Sequence, residues 1–337
     1  KPWGDTTWIC FCLAFGCFYI VFDILKAVKG NPYSNGERVL ERSNEDMMYA
    51  CIIILALTSL TAFNIEAIVL GFIPVFEKGV PHAYSYFHIS GVHYFTVSCI
   101  LVPAFSIVYL NEESRLGIIK IIFLVLANII AMAIPIFCVS RFQFMFAVLL
   151  AFVTLLILKR ERIRPVYFVS VIVFIVPVYL LLSVARSHNV EDLNGIFEMK
   201  YNLPIFISQP YIYIANNYDN LDTLIKELPK HSFGLKGLFP LWALTGIKFI
   251  YPKIVDFPIF VNKTELTTVT LFYDAFYDFG IAGVAVFSTG LGCIGYFFEK
   301  MIRSTRHATF YIIYAQVFIY LALSFFTTWF SNPATWF

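Results

Sequence analysis

The fold class follows from residues 117–158, which read GIIKIIFLVLANIIAMAIPIFCVSRFQFMFAVLLAFVTLLIL. The stretch carries only two charged side chains, Lys120 near its start and Arg141 near its middle. A helix needs about 20 predominantly apolar residues to cross the hydrocarbon core of a bilayer. The stretch is long enough for two such helices, and we predict spans at 117–139 and 140–158 with a tight turn between them.

The composition of the whole chain extends this prediction. Of the 337 residues, 59% are hydrophobic and 14% are charged, and the mean hydropathy is +0.76. Soluble domains are about 45–50% apolar and about 25% charged. We therefore predict an all-α polytopic membrane protein, a single integral-membrane domain over 1–337 with about eight or more transmembrane helices. The further predicted spans are 6–25, 46–76, 91–110, 165–184, 281–299 and 308–330. The net charge of +2 gives no indication of a nucleic-acid partner.

Basic residues in short loops predict the orientation of these spans. Loops rich in Lys and Arg stay on the cytoplasmic side, and four of the six residues in 159–164 are basic. Residues 26–46 hold four Lys or Arg side chains and residues 300–306 hold three. Counting spans from these loops gives the outer segments as 77–90, 139–141 and 185–280. The chain begins with Lys1 and ends in SNPATWF, so we expect truncation at one or both ends.

The long outer segment 185–280 is the part of the chain in which we most expect a functional site, because connections of that length in compact proteins are usually functional. Two of its stretches, IFISQPYIYIAN (205–216) and GLFPLWALTGIKFIYP (237–252), are apolar, interrupted by proline and too short to span. We predict re-entrant or interfacial helices for both. Irregular backbone at membrane depth needs cover by protein or by a water-filled cavity, so we expect a lined cavity in the outer half.

Three side chains at the predicted outer face are candidate site residues. Arg141 lies where two spans meet, and a charge at that depth indicates function, unless the arginine reaches the outer headgroups. Arg186 and His188 follow span 165–184 and lie at the outer rim. An arginine fork suits phosphate oxygens, although an interfacial anchor would occupy the same place.

Histidines in the outer stretch 77–93 are further candidates, namely His82, His88 and His93. Their spacings of six and five do not place them on one helical face, so we expect no metal site. One of them, His93 above all, is a candidate base or hydrogen-bonding group. Glu66, within the interrupted second span, is a buried carboxylate whose expected partner is an arginine.

Two Tyr-Asp pairs precede the late span 281–299. Tyr273 and Asp274 lie four residues before Tyr277 and Asp278, so on a helix each like pair shares a face. Carboxylates in the first turn of a helix also favour its dipole, which is the structural alternative. The functional alternative is a face that binds sugar or supplies a base.

Four stretches together resemble one family of enzymes. They are SRFQFMFAVLLAFVTLLIL (140–158), QPYIYIANNYDNLDTLI (209–225), HSFGLKGLFPLWAL (231–244) and TVTLFYDAFYDFGIAGV (268–284), with weaker support from GFIPVFEKG (71–79). From about residue 46 to 330, the chain resembles the bacterial O-antigen polymerase (Wzy-like) family of oligosaccharide repeat-unit polymerases. The resemblance implies a membrane glycosyltransferase of the GT-C-like group.

The resemblance also implies an activity and a location. Such a polymerase moves a growing glycan from undecaprenyl pyrophosphate to the non-reducing end of a lipid-linked repeat unit, making a surface polysaccharide such as O-antigen or capsule. It works at the outer face of the bacterial cytoplasmic membrane, with or without a chain-length regulator protein. No cofactor is expected, and no metal is required where arginines stabilise the pyrophosphate leaving group. The residues implied as catalytic are Arg141, Arg186, His188, Asp274 and Asp278. Those implied as substrate-binding are Tyr273, Tyr277, Tyr211, Asp219, His93 and Glu66.

Three alternatives stay open on the sequence. An O-antigen ligase shares the chemistry and differs in its acceptor. A secondary transporter or lipid flippase often has paired repeats and broken helices at the midplane, and the sequence has no internal repeat. A membrane O-acyltransferase would use a paired arginine and histidine, for which Arg186 and His188 are the candidates.

Overall fold

The structure is a computed structural model that describes residues 2–29, 44–77, 83–112, 117–159, 164–185, 195–201, 203–304 and 307–337. Within these residues the chain is helical and has no β-strand, which confirms the all-α prediction. Its contacts define two compact units. The first unit comprises 1–36, 190–303 and 320–337, and the second comprises 37–189 and 304–319. The single domain stays a prediction.

The α-helices follow one another with short 3-10 turns between some of them. In chain order they are α1 (Asp5–Lys29), α2 (Glu45–Leu70), α3 (Ala83–Tyr86), α4 (Val92–Val97), α5 (Val102–Glu112), α6 (Ile118–Phe137), α7 (Arg141–Leu158), α8 (Pro165–Ala185), α9 (Ile205–Glu227), α10 (Phe239–Leu244), α11 (Ile247–Ile250), α12 (Tyr273–Ser304), α13 (Ala308–Ala322) and α14 (Pro333–Trp336).

Six stretches of the described residues are long and apolar enough to cross a membrane. They are α1, α2, the continuous stretch Val92–Glu112, α6, α7 and α12. The protein is therefore a multi-pass membrane protein. Helices α8 and α13 coincide with the two remaining predicted spans, but α13 has only 15 residues, fewer than the roughly 20 that a span needs. A count of eight spans stays a prediction.

The sequence predicts that 46–76 is too long for one straight span and is interrupted, and in the structure the interruption follows Leu70. Helix α2 ends at Leu70, where Gly71 adopts the left-handed conformation at φ 77°. The Gly71 amide donates to the Ala67 carbonyl oxygen at 3.0 Å. A left-handed glycine ends a helix because it has no Cβ to clash, and Pro74 then starts a separate 3-10 turn.

Small side chains hold the second unit together. Helix α5 packs against α7, and α2 packs against α6. Alanines at these contacts are buried on all four helices, at Ala56, Ala62, Ala104, Ala127, Ala131 and Ala147. Hydrophobicity gives little attraction between helices in lipid, so close approach through small residues supplies the packing.

In the first unit, the stretch 205–216 is not a separate short helix as predicted. It forms the first half of α9, which runs unbroken for 23 residues from Ile205 to Glu227. The second half continues because its polar residues are buried against partners from other segments. They are Asn216, Asn217, Asn220 and Asp222. The stretch 237–252 forms the short helices α10 and α11, and a re-entrant or interfacial position for them stays a prediction.

Helix α12 begins at Tyr273, eight residues before the predicted start of its span, and breaks at Gly280. Gly280 has φ 63° and ψ −144°, a conformation open almost only to glycine. A Cβ on Gly283 would overlap the Ala275 carbonyl. The two glycines let the turns 273–279 fold close against the long helical part that follows, and this places both aspartates of that segment at the break.

A second close approach joins α1 to α12. A Cβ on Gly292 would lie 2.7 Å from the carbonyl oxygen of Phe18, and the Phe18 ring lies beside Gly295. Glycine is needed at Gly292 because any side chain would push the two backbones apart. Phe22 adds an edge-to-face contact with Tyr296 at 6.0 Å between ring centroids.

Candidate functional site

Asp278 docks the segment 231–238 onto the start of α12. Its carboxylate accepts hydrogen bonds from the Ser232 hydroxyl, from the Gly237 amide at 2.8 Å and from the Lys236 amide at 3.2 Å. The amide of Phe233 donates to the Asp278 carbonyl oxygen at 3.1 Å. Gly237 is required here, because a Cβ would lie 2.7 Å from the carboxylate. Both carboxylate oxygens of Asp278 therefore accept hydrogen bonds from the segment 231–238.

Docking the segment places the Lys236 ammonium beside the other aspartate. The Lys236 Nζ lies 3.8 Å from Oδ1 of Asp274, and its side chain is 17% exposed. The same Nζ lies 4.7 Å from the ring centroid of Tyr277 and 5.7 Å from that of Phe257. An ammonium over aromatic faces, beside a carboxylate, is held in a partly desolvated site where its charge acts strongly. We call Lys236, Asp274, Tyr277 and Phe257 the lysine cluster.

Lys236 is the functional candidate that the sequence reasoning missed. The signal was present, because Lys236 is the only Lys, Arg, Asp or Glu in the quoted stretch HSFGLKGLFPLWAL. A lone ammonium in so apolar a segment requires a partner or a ligand. Sequence spacing gave no sign that this partner lies 38 residues further on, at Asp274.

The two tyrosines expected to bind sugar are buried at this point. The Tyr273 hydroxyl donates to the Phe260 carbonyl oxygen and accepts from the Phe260 amide, both at 2.9 Å. Tyr277 lies under Lys236. Their contacts in this structure position the segment around Phe260 and the ammonium, and direct sugar contact by either ring stays a prediction.

A cavity of about 510 Å³ lies elsewhere in the first unit, against α9. Tyr211 and Asp219, both expected to bind substrate, line it, together with Asn216 and Lys263. Tyr211 is well exposed. The cavity therefore brings together two of the predicted substrate-binding residues and adds two that the sequence did not single out.

Three asparagines of α9 fix the wall of this cavity. Asn217 donates to the Phe325 carbonyl oxygen at 2.8 Å and accepts from the Thr268 hydroxyl at 2.7 Å. Asn220 donates to the Thr268 carbonyl oxygen at 2.8 Å and accepts from the Asn262 amide at 2.7 Å. Asn216 donates to the Leu266 carbonyl oxygen at 3.1 Å, but its own Oδ1 is buried and accepts no hydrogen bond.

Aspartates on the next turns of α9 tie down the amino-terminal residues. Asp219 accepts from the Trp3 indole at 2.7 Å. Asp222 accepts from the Gly4 amide at 2.9 Å, the Thr7 hydroxyl at 2.6 Å and the Lys226 ammonium. Burial raises the pKa of Asp222, but the hydrogen bonds from Lys226, Thr7 and Gly4 outweigh it and lower the pKa below its ordinary value of 3.8.

In the second unit, the prediction that an arginine pairs with Glu66 is wrong. The fully buried Glu66 carboxylate accepts from the Ile89 amide at 2.8 Å and the Thr96 hydroxyl at 2.7 Å, and it pairs with His93 Nδ1 at 3.1 Å. The donors come from the stretch just after α2, which turns back along the helix. The hydrogen-bond donors to Glu66 therefore come from this stretch of the chain and not from an arginine. His88 stacks edge to face on His93 at 6.2 Å.

Arg141 begins α7 in the same unit and is buried. Its guanidinium lies over the ring of Tyr179, 5.4 Å from the centroid. Arg186, His188 and His82 lie outside the described residues. Among the residues that the structure describes, no group of three or more His, Cys, Asp or Glu side chains is arranged to hold a metal ion.

Comparison of the chain with protein-family models, with curated proteins and with solved structures finds no match. The resemblance to the O-antigen polymerases therefore rests on the four quoted stretches alone. Three of these stretches, 209–225, 231–244 and 268–284, belong to the first unit.

Proposed function

We propose that the protein is a membrane glycosyltransferase that polymerises lipid-linked oligosaccharide repeat units into a surface polysaccharide. It would transfer a growing glycan from undecaprenyl pyrophosphate to the non-reducing end of a fresh repeat unit. The reaction would take place at the outer face of the bacterial cytoplasmic membrane. A chain of six long apolar helices is compatible with a prenyl-linked substrate, whose tail stays in the bilayer.

The observation that carries the proposal is the lysine cluster. Two stretches that resemble the polymerases, 231–244 and 268–284, meet there through the contacts of Asp278 and the ion pair between Lys236 and Asp274. A third, 209–225, holds the residues that lead into 268–284, because Asn217 accepts from the Thr268 hydroxyl. Stretches distant in sequence thus converge on one cation.

The chemistry of such a transfer needs a positive group and a proton acceptor. The acceptor sugar hydroxyl attacks the anomeric carbon, the bond from that carbon to the pyrophosphate oxygen breaks, and the electron pair leaves with the pyrophosphate. The Lys236 ammonium is placed to stabilise the charge that develops on the leaving group. The hydroxyl proton must pass to a base, and we propose Asp274, which lies beside the ammonium and whose carboxylate also accepts hydrogen bonds from Ser331 and Thr328.

The arginines keep the role that the resemblance implies, as additional cations for the pyrophosphate. Arg141 has the bidentate fork that suits phosphate oxygens, and its guanidinium lies 5.4 Å from the centroid of the Tyr179 ring. Lys236 presents a single point charge instead. We propose Lys236 as a cation of the reaction. For Arg141, which lies in the second unit, the catalytic role implied by the resemblance stays a prediction.

The test is reconstitution of the purified protein in proteoliposomes with undecaprenyl-pyrophosphate-linked repeat units of several types. The product is read as a ladder of longer lipid-linked glycans. We expect Lys236→Met to lower the rate by a factor of about 100 or more, the size expected for loss of one preorganised donor. Lys236→Arg should restore part of the rate. Lys230→Met, an exposed lysine six residues away, is the matched control and should leave the ladder unchanged.

Each variant has an outcome that counts against the proposal. A full ladder from Lys236→Met would remove Lys236 from the mechanism. A full ladder from Arg141→Ala and Arg186→Ala together would remove both arginines. Wild-type protein that is folded and makes no ladder from any repeat unit would overturn the polymerase, and transfer to another acceptor would then indicate a ligase.

A further inference from the structure

We infer that the cavity against α9 is a saccharide-binding site, separate from the lysine cluster. The proposal concerns the part of the first unit bounded by Tyr201, Tyr211, Asn216, Asp219 and Lys263. It rests on the proposed function for its biological setting. Its chemical argument rests on the cavity alone.

The size of the cavity fits a small-molecule ligand. Its volume of about 510 Å³ falls within the range of roughly 300–1,000 Å³ typical of ligand pockets. Tyr211 and Tyr201 both line it and both are strongly exposed, at 57% and 64%. Exposed tyrosine rings present flat apolar faces with a polar edge, and such faces suit the C–H face of a sugar ring.

Asn216 is the second, independent sign of a ligand. Its side chain lines the cavity and is only 3% exposed, and its Oδ1 has no hydrogen-bond partner. Neighbouring Asn217 and Asn220, by contrast, have both amide atoms bonded. A buried acceptor without a donor is unfavourable, and a turn of the Asn216 side chain toward the cavity would let a ligand hydroxyl donate to it.

The remaining polar side chains of the cavity favour one chemical class of ligand, the saccharides. Asp219 adds a carboxylate, an acceptor, whereas Lys263 and Lys200 add ammonium donors at the same cavity. The Lys263 ammonium is paired with the exposed Glu198 at 3.3 Å, a contact weak enough to exchange. A bare phosphate would be repelled by Asp219, and an apolar ligand would leave Asn216 unpaired. Sugar hydroxyls both donate and accept, so a saccharide satisfies the acceptors and the donors together.

The cavity is linked along the chain to the lysine cluster. Phe257 belongs to that cluster, Phe260 holds the Tyr273 hydroxyl, and Lys263 lines the cavity. Lys263 lies three positions after Phe260, which is at most about 11 Å of extended chain. A glycan bound in the cavity would therefore lie within reach of the reacting centre proposed above.

The experiment measures binding without catalysis. The full chain in lipid nanodiscs is titrated with lipid-free oligosaccharides of neutral hexoses, N-acetylhexosamines and uronic acids, and binding is followed by saturation-transfer NMR and calorimetry. We expect wild type to bind at least one of them. Tyr211→Ala should raise its Kd about tenfold or more, since stacking on the ring is lost. Tyr251→Ala, which removes an equally exposed tyrosine away from the cavity, is the control.

The outcomes separate this inference from the proposed function. No binding of any oligosaccharide, or equal Kd values for wild type and Tyr211→Ala, overturns the saccharide site even if the protein polymerises. Binding that depends on Tyr211 in a protein that makes no ladder supports the saccharide site and overturns the polymerase. Asn216→Ala is a second variant, and unchanged binding by it would also contradict the inference. A matched melting temperature shows that each variant is folded.

Discussion

Two regions of the protein solve the same structural problem with different residues. In the first unit, Asp278 holds the segment 231–238 against α12, and in the second, Glu66 holds residues 87–96 against α2. Each carboxylate is buried, and each accepts a backbone N–H and a side-chain hydroxyl. Buried carboxylates are tolerated only when such donors replace the lost water.

The difference between the two regions lies in where the positive charge is. Around Glu66 the third donor is His93, so the titratable group takes part in docking. Around Asp278 the third donor is the Lys236 amide, and the Lys236 ammonium is left to pair with Asp274. A charge beyond what docking requires indicates chemistry. The comparison therefore shows that Glu66 and Asp278 each hold a neighbouring segment in place, while their predicted roles in substrate binding and catalysis stay predictions, as does the proposed role of Lys236.

The largest effect on stability is expected from Asp278→Ala. It leaves two backbone amides and one hydroxyl without an acceptor in a buried place, at a combined cost of about 4 kcal/mol. The measurement is chemical unfolding of the purified protein in detergent. Asp278→Asn is the paired variant and should cost less, because its amide oxygen still accepts. Equal stability of Asp278→Ala and wild type would remove the docking role.

Glu66→Ala should be somewhat less damaging, at about 3 kcal/mol, because it leaves one backbone amide, one hydroxyl and a partly exposed histidine. His93→Gln tests the comparison more sharply. If His93 serves docking alone, a glutamine that still donates should preserve most of the stability and any glycan ladder. A ladder that disappears with His93→Gln at unchanged stability would make this region reactive as well.

Gly280→Ala should cost about 2 kcal/mol, because its φ of 63° and ψ of −144° exclude a Cβ. A Cβ would also lie 3.2 Å from the His231 ring. The control is Gly290→Ala in the same helix, where nothing lies within 4 Å and alanine should be neutral or stabilising. Thermal melting of both variants checks the prediction, and equal melting temperatures would contradict the strained break.

The smallest effect concerns a third carboxylate of the same kind. Asp222 accepts from an amide, a hydroxyl and an ammonium, but at a more exposed place. Its pKa is lowered in the folded protein, so its contribution to stability is present above its ordinary pKa of 3.8 and is lost as the pH falls below it through the folded value.

Trp3, which bonds to the same helix, reports this loss. Its fluorescence, compared with that of Trp3→Phe, should stay constant from neutral pH to about pH 4 and change only below. Asp222→Asn should abolish that change. A transition near neutral pH would show that another group controls the amino-terminal contact.

Sequence alone predicted most of the helical layout, because apolar length decides a span whatever surrounds it. Helices α6 and α7 have the predicted limits to within a few residues. The interruption of 46–76 was predicted, but the break at Gly280 was missed, since it depends on a glycine conformation that is settled by packing. The continuous helix α9 was missed because its polar residues suggested a loop, whereas in the structure they are buried.

The site was predicted less well than the fold. Asp274 and Asp278 were recognised as a pair. Their different contacts were not predicted, because the donors to Asp278 come from a segment about 40 residues earlier. Tyr211 and Asp219 line a common cavity as a helical spacing allows, whereas Asn216 was indistinguishable from its neighbours until their hydrogen bonds were known. Which residues pair with one another depends on tertiary contacts, and a single sequence does not show those contacts directly.

The close fit between Phe18 and Gly292 bears on how the protein is made. Helix α1 enters the membrane early, but the glycine face that receives it is synthesised about 270 residues later. At roughly 5–20 residues per second, α1 waits for something like 14–55 s before its partner emerges. During that time it must be stable alone in lipid, and its mean hydropathy of 2.2 permits this. Biogenesis therefore includes an interval in which α1 has been synthesised but its glycine partner has not.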